Sequence, residues 1–148
     1  MRQFLLHLTI LGRIALLVVG TDALAEAEGP PAFVADIQVH TPAEVRTVLE
    51  RLDALANAGT GFPDHDPVVL VLHGDEALAF TRDRYDEFMD IVDRAARLEA
   101  FGLLDVRICE QWMSDRGISR AELPAFVDSV PDGRATVRLL ERQGYVRF

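Results

Sequence analysis

Apolar and polar positions change period along this chain, and the changes mark out alternating strands and helices. Residues 33–40 (F-V-A-D-I-Q-V-H) alternate, with Phe33, Ala35, Ile37 and Val39 on one face, the pattern of a half-buried strand. Thr41, Pro42 and Glu44 then supply an N-cap, a proline in the first helical position and an acid at the third. Val45, Val48, Leu49, Leu52, Leu55 and Ala56 follow at helical spacing until Gly59 ends the helix. Residues 60–67 are loop by their Gly, Pro and Asp content. Residues 68–72 form an unbroken apolar run ending in His73 and Gly74, which suits a central strand covered on both faces. Residues 75–81 are expected to be a connecting loop. A long helix is expected over 82–101, with Tyr85, Phe88, Met89, Val92, Ala96 and Leu98 on one broad face and Gly102 at its end. A third strand over 106–109 leads into a short helix over 110–116, stopped by Gly117. Ser119 and Glu122 make a second capping box, whose turn Pro124 cuts short. A fourth strand is expected over 126–130. Pro131, Asp132 and Gly133 open a last helix through Gln143, with Val137 and Leu140 inward. Gly144 ends it, and residues 145–148 form a terminal strand.

The resulting order is βαβαβαβαβ. It predicts an α/β fold: a single-domain, three-layer α/β/α sandwich around a mostly parallel sheet of about five strands. The length of 148 residues, 49% of them hydrophobic, is enough for one domain with a sizeable core. Residues 1–25 stand apart from that pattern. Arg2 and Arg13 precede the apolar stretch 14–20, and Ala23-Leu24-Ala25 is a small-x-small cleavage signal. The segment reads as a signal peptide cleaved after Ala25. That leaves 26–148 as the domain, with a flexible leader over 26–31, in the periplasm or secreted. The apolar run between Arg13 and Asp22 is short for a bilayer span, so no stable membrane insertion is expected after cleavage. The net charge of -9 argues against nucleic acid as the main partner. All 15 basic residues are arginine, which excludes a P-loop lysine, a Schiff base and a Ser–Lys dyad. Neither a G-x-G-x-x-G nor a G-x-S-x-G motif is present.

Within 105–117 (D-V-R-I-C-E-Q-W-M-S-D-R-G), Cys109 is the only cysteine of the chain, at a strand-to-helix junction. Open α/β sheets bind ligands at that edge, and a helix N-terminus favours the nucleophilic thiolate. A buried cysteine acting as a small hydrophobe is the other reading. His40 ends the first strand, His73 the second and Cys109 the third, so a parallel sheet brings all three to one edge. There the histidines could cap strand ends or bond loop backbone, could hold Cys109 as thiolate, or could join it in binding zinc or copper. No cofactor and no metal site is assigned. His65, between Asp64 and Asp66, matches no standard ligand spacing and reads as part of a solvated turn. Trp112 and Met113 read as packing or as a subunit contact.

Ile108-Cys109, followed by Arg116-Gly117-Ile118, resembles the DsrE/DsrF-like sulfur-relay family, whose members share a strand ending in cysteine and a short helix ending in R-G-[IV]. The resemblance extends to the apolar strand ending at Gly74 and to the L-x-x-Q-G-Y ending at Tyr145, and covers roughly residues 33–148. It implies an α/β sandwich assembled into trimers or hexamers. It also implies a persulfide carried on Cys109, with a sulfur donor or acceptor protein as partner. The signal-peptide-like segment sets this chain apart from the cytoplasmic relay members. The expected function is therefore that of an exported sulfur carrier or transferase. The alternative is a non-catalytic oligomeric module that binds a small ligand or a metal.

Overall fold

The alternation of strands and helices closes into one sheet. The computed structural model describes residues 30–58 and 65–148. The signal peptide with its cleavage site, Gly59 as helix terminator and most of the 60–67 loop lie outside the described residues. In chain order the elements are β1 (Phe33–Asp36), α1 (Pro42–Asn57), β2 (Val68–Leu72), α2 (Tyr85–Ala100), β3 (Leu104–Cys109), α3 (Glu110–Arg116), β4 (Asp128–Val130), α4 (Gly133–Arg142) and β5 (Val146–Arg147). The strands lie in the order β4-β3-β2-β1-β5, and every neighbouring pair is parallel. The chain steps outward from β1 to β4, then α4 carries it back across the sheet to β5. Right-handed crossovers put helices of opposite stepping direction on opposite faces. Among the described residues, no helix is long and apolar enough to cross a membrane.

Two apolar clusters follow from this. On one face Leu70, Leu72, Val106 and Ile108 of the sheet pack with Leu49 and Leu52 of α1 and Ile91 and Leu98 of α2. On the other, Val34, Val69 and Val71 pack under Val137 and Leu140 of α4. β2 is the middle strand and is buried along its whole length, as its unbroken apolar run predicts.

The last two strands are shorter than expected, Asp128–Val130 and Val146–Arg147 in place of 126–130 and 145–148. Three further local expectations change. The first strand ends at Asp36 and not at His40. The cause is Glu44 in the first turn of α1, whose carboxylate accepts the N–H groups of Gln38 (2.8 Å) and Val39 (2.7 Å) and turns the chain away from the sheet. Val39 is left 71% exposed. Residues 75–81 are not a plain loop. Asp75–Phe80 form a 3-10 helix that buries Glu76, Ala77, Ala79 and Phe80. The expected helix over 82–101 begins as a 3-10 turn (Arg82–Arg84), and its first α turn is broken by non-helical Phe88 (φ -121°, ψ 22°). The buried face is Ile91, Val92, Ala95 and Leu98, and Tyr85 and Met89 are exposed.

Both capping predictions are met where they can be seen. Thr41 Oγ1 accepts the N–H of Glu44, and Ser119 and Glu122 close a reciprocal box. Gly117 ends α3 at φ +66°, a left-handed conformation that a side chain would strain.

Candidate functional site

The C-terminal edge of β1, β2 and β3 gathers the titratable side chains singled out by the sequence. His73 is the first residue after β2, and its side chain is only 7% exposed. Its Nε2 lies 3.2 Å from Oδ1 of Asp36, the last residue of β1. His40 stands in the turn after β1 with φ +57° and places Nδ1 3.0 Å from Oε2 of Glu76. The two imidazole rings meet edge to face, 4.7 Å between centroids.

Glu76 is the group that organises this edge. It is fully buried, and its Oε1 accepts the backbone N–H groups of His73 (2.7 Å) and Gly74 (2.8 Å) while Oε2 faces His40. A carboxylate taken out of water needs such partners. Because an ionised carboxylate only accepts, the geometry makes His40 Nδ1–H and His73 Nε2–H the donors. His40 Nε2 and His73 Nδ1 then remain for other work. Gly74 is required by the same packing: a Cβ there would stand 2.5 Å from His40 Nδ1 and 2.6 Å from Glu76 Oε2.

Cys109 is the last residue of β3, buried at 6% exposure. Its thiol donates to the carbonyl oxygen of Pro131 at 4.0 Å, the outer limit for sulfur. Above it lies the first turn of α4. Asp132 caps that helix by accepting the N–H of Ala135 at 2.9 Å. Gly133 lets it approach: a Cβ on Gly133 would stand 2.7 Å from His73 Cβ and 3.3 Å from Cys109 Cβ. The longer helix whose N-terminus meets the thiol is therefore α4, which the sequence reading had not assigned to the site. The helix that follows Cys109 directly, α3, is only seven residues long.

Two adjoining clefts open along this edge. One, of about 370 Å³, is lined by Asp36, His40, His73, Arg134, Arg138 and Arg147, among others. The second, of about 390 Å³, includes His73, Cys109, Trp112, Arg116, Arg134 and Arg138. His73, Arg134 and Arg138 are common to both. Arg116 is bonded to Asp75 at 2.5 Å and lies over the Trp112 ring at 4.8 Å. Arg147 reaches Glu141 at 2.8 Å and Asp36 at 3.5 Å.

The three residues singled out from the sequence thus share one edge. No hydrogen bond joins Cys109 Sγ to either imidazole among the described residues; His73 Nε2 faces Asp36 and the thiol faces Pro131. No group of three or more His, Cys, Asp or Glu side chains is arranged to hold a metal ion among the described residues. His65 lies at the opposite end of β1, its ring 6.1 Å from that of Phe33. Trp112 and Met113 are both buried in the core, with Trp112 also lining the second cleft. The sequence reading missed Asp36 and Glu76 as histidine partners, and the two arginines of α4. Asp36 carried a signal, an acid inside an otherwise apolar strand start, whereas Glu76 looked like any loop acid.

No protein-family model matches this chain, and no curated protein matches it. Among solved structures, the chain is similar to MTH1491, a protein of unknown function from Methanobacterium thermoautotrophicum. The TM-score is 0.57 at 14% sequence identity, over 79% of this chain and 93% of that one. The two share a fold.

Proposed function

We propose that this chain is an exported, DsrE/DsrF-like sulfur carrier in which Cys109 takes up sulfane sulfur as a persulfide and passes it to an acceptor thiol. The observation that carries the reading is the position of Cys109. It ends a strand of a parallel sheet and lines a cleft shared with His73 and three arginines. The fold shared with MTH1491 and the R-G-I and Q-G-Y motifs read from the sequence are in keeping with it.

The chemistry is two exchanges. Cys109 loses its proton, and its sulfur attacks the outer sulfur of a donor S–S bond. That bond breaks, and the donor's leaving group departs with the electron pair. An acceptor thiolate then attacks the outer sulfur of the Cys109 persulfide, and Cys109 leaves as thiolate. No net oxidant or reductant is needed. The reading calls for a thiol that reagents can reach from the second cleft. In this proposal His73, fixed by Asp36, and His40, fixed by Glu76, shape and polarise the same edge. The chain works as a trimer or hexamer in the periplasm or outside the cell, after cleavage at Ala25.

The test is the intact mass of the purified protein before and after exposure to polysulfide, with Cys109→Ser alongside. A gain of sulfur that dithiothreitol reverses, and that the serine variant lacks, is the expected result. Failure of a fully reduced Cys109 to gain sulfur or to react with iodoacetamide in the folded protein would end this reading.

A second reading rests on a different observation. Two imidazoles 4.7 Å apart are each oriented by a carboxylate. Such pairing is how proteins hold histidines toward a ligand or a cation. In that reading the chain is a non-catalytic oligomeric binding module. Its metal version predicts a rise in melting temperature with zinc or copper that His40→Ala removes. Absence of any shift with either metal removes that version.

A further inference from the structure

The persulfide reading leaves the donor unnamed, and this inference rests on that reading and deepens it. Arg134 and Arg138 are both exposed, line both clefts and lie one turn apart on α4, so their side chains share a face. Neither has an ion pair among the described residues, whereas Arg116 is held by Asp75 and Arg147 by Glu141 and Asp36. Local physics opposes this arrangement. Arg134 stands in the first turn of α4, where the helix dipole disfavours a cation, and no acidic residue occupies that turn. Like charges at i and i+4 repel. The chain as a whole is strongly acidic, with 24 carboxylate residues against 15 arginines. Asp115 and Asp132 line the second cleft as well, yet among the described residues no carboxylate forms an ion pair with either arginine. Two cations without an ion pair that line a cleft call for a ligand with anionic oxygens.

We infer that Arg134 and Arg138 bind the oxyanion end of a small sulfane donor, a divalent anion of the thiosulfate type, in the cleft that Cys109 lines. The step balances. The Cys109 thiol gives its proton to water, the thiolate attacks the outer sulfur, the donor S–S bond breaks, and sulfite leaves with the electron pair. The two arginines stabilise the negative charge that gathers on the leaving sulfite.

The test measures binding apart from sulfur transfer. The full chain carrying Cys109→Ser, which cannot accept sulfur, is titrated calorimetrically with sodium thiosulfate and with sodium sulfate at low ionic strength. Both anions are expected to bind. Affinity is expected to fall about tenfold in each of Arg134→Gln and Arg138→Gln, the weight of a hydrogen bond to a charged group. Arg142→Gln, an exposed change on the same helix outside both clefts, is the control and keeps full affinity. All three positions are exposed, so circular dichroism should report an unchanged fold. Binding of neither anion, an equal loss in Arg142→Gln, or binding of thiosulfate without sulfate would each overturn the assignment. The last would place recognition at the sulfur and not at the oxyanion. Because nothing is transferred, a Cys109 that proves inert toward polysulfide would leave this result standing, and the two failures can be told apart.

Discussion

The two faces of the sheet are built to different rules. The face under α1 and α2 is apolar from edge to edge, and its charges are kept outside the helices. Arg46 with Asp90, and Arg94 and Arg97 with Asp53, tie α1 to α2 beyond the core. The face under α4 is covered by one helix. Its apolar patch is three valines of the sheet with Val137 and Leu140, and beyond it the sheet itself turns polar. Asp36 bonds His73 there, and Asp105 pairs with Arg107 at 2.6 Å along the same strand. The difference teaches where this fold has room for chemistry. A face closed by two helices can only contribute packing. A face with a single helix leaves polar side chains half-buried at the strand ends, where water is scarce and charge interactions are stronger.

Glu76 is where the two rules meet, and removing it should have the largest effect. Its backbone belongs to the 3-10 helix packed on the apolar face, but its carboxylate serves the strand-end edge. Glu76→Ala leaves two backbone donors without their acceptor, at about 1–3 kcal/mol each, and frees His40. Chemical denaturation should show that loss, with Glu76→Gln recovering part of it through the one remaining carbonyl oxygen. A loss under about 1 kcal/mol in the alanine variant would mean that the edge does not depend on the buried acid. Leu70→Ala tests the apolar face alone. A fully buried leucine there should cost about 2–5 kcal/mol. Arg107→Ala, on the opposite face of the next strand, should cost under about 1 kcal/mol, because its pair is partly exposed. Similar losses at both positions would erase the contrast between the faces.

Gly133→Ala comes next and has a sign worth checking. By helix propensity alone, alanine should stabilise α4 by up to about 1 kcal/mol. The close approach to His73 Cβ predicts the opposite, a loss of about 1–3 kcal/mol as the helix is pushed off the strand ends. Cys109 should then react faster with iodoacetamide than in the parent protein. A more stable variant with unchanged thiol reactivity would show that α4 does not seal the edge.

What was legible in the sequence follows the same division. The β2 run, the Thr41 and Ser119 caps and the stop at Gly117 are local signals, and each was read correctly because short-range physics decides them. The shared edge of His40, His73 and Cys109 was also legible, since it needs only parallel strands, whereas the order that sets β1, β2 and β3 side by side was not. Side-chain partnerships were not. Asp36 and His73 are 37 residues apart, and their meeting depends on β1 pairing with β2. Gly133 reads locally as a helix opener, and its role in letting α4 touch His73 and Cys109 exists only once α4 has crossed back over the sheet. The buried face of α2 was misread because two apolar stripes compete at helical spacing, and the one through Ile91, Val92, Ala95 and Leu98 is the one that is buried.

The smallest effect concerns the charges that the apolar face keeps outside. Arg46 Nε donates to Asp90 Oδ2 at 2.7 Å, and this hydrogen bond holds the Asp90 carboxyl below its ordinary range, with the nearby positive charge adding to it. A carboxyl with a depressed value in the folded protein binds its proton more weakly there than in the unfolded chain. Its contribution is therefore complete above the unfolded value and is lost as pH falls through the folded one. Both partners are substantially exposed, so the contribution is modest, about 0.2–1 kcal/mol. Asp90→Asn should lower stability by that amount at pH 7. The gap between variant and parent should close as the solution is taken below the ordinary aspartate range, and 0.5 M salt should narrow it at pH 7. A gap that persists unchanged into acid would mean that Asp90 acts by packing between α1 and α2 and not by its charge. The apolar face would then owe nothing to the ion pairs at its rim.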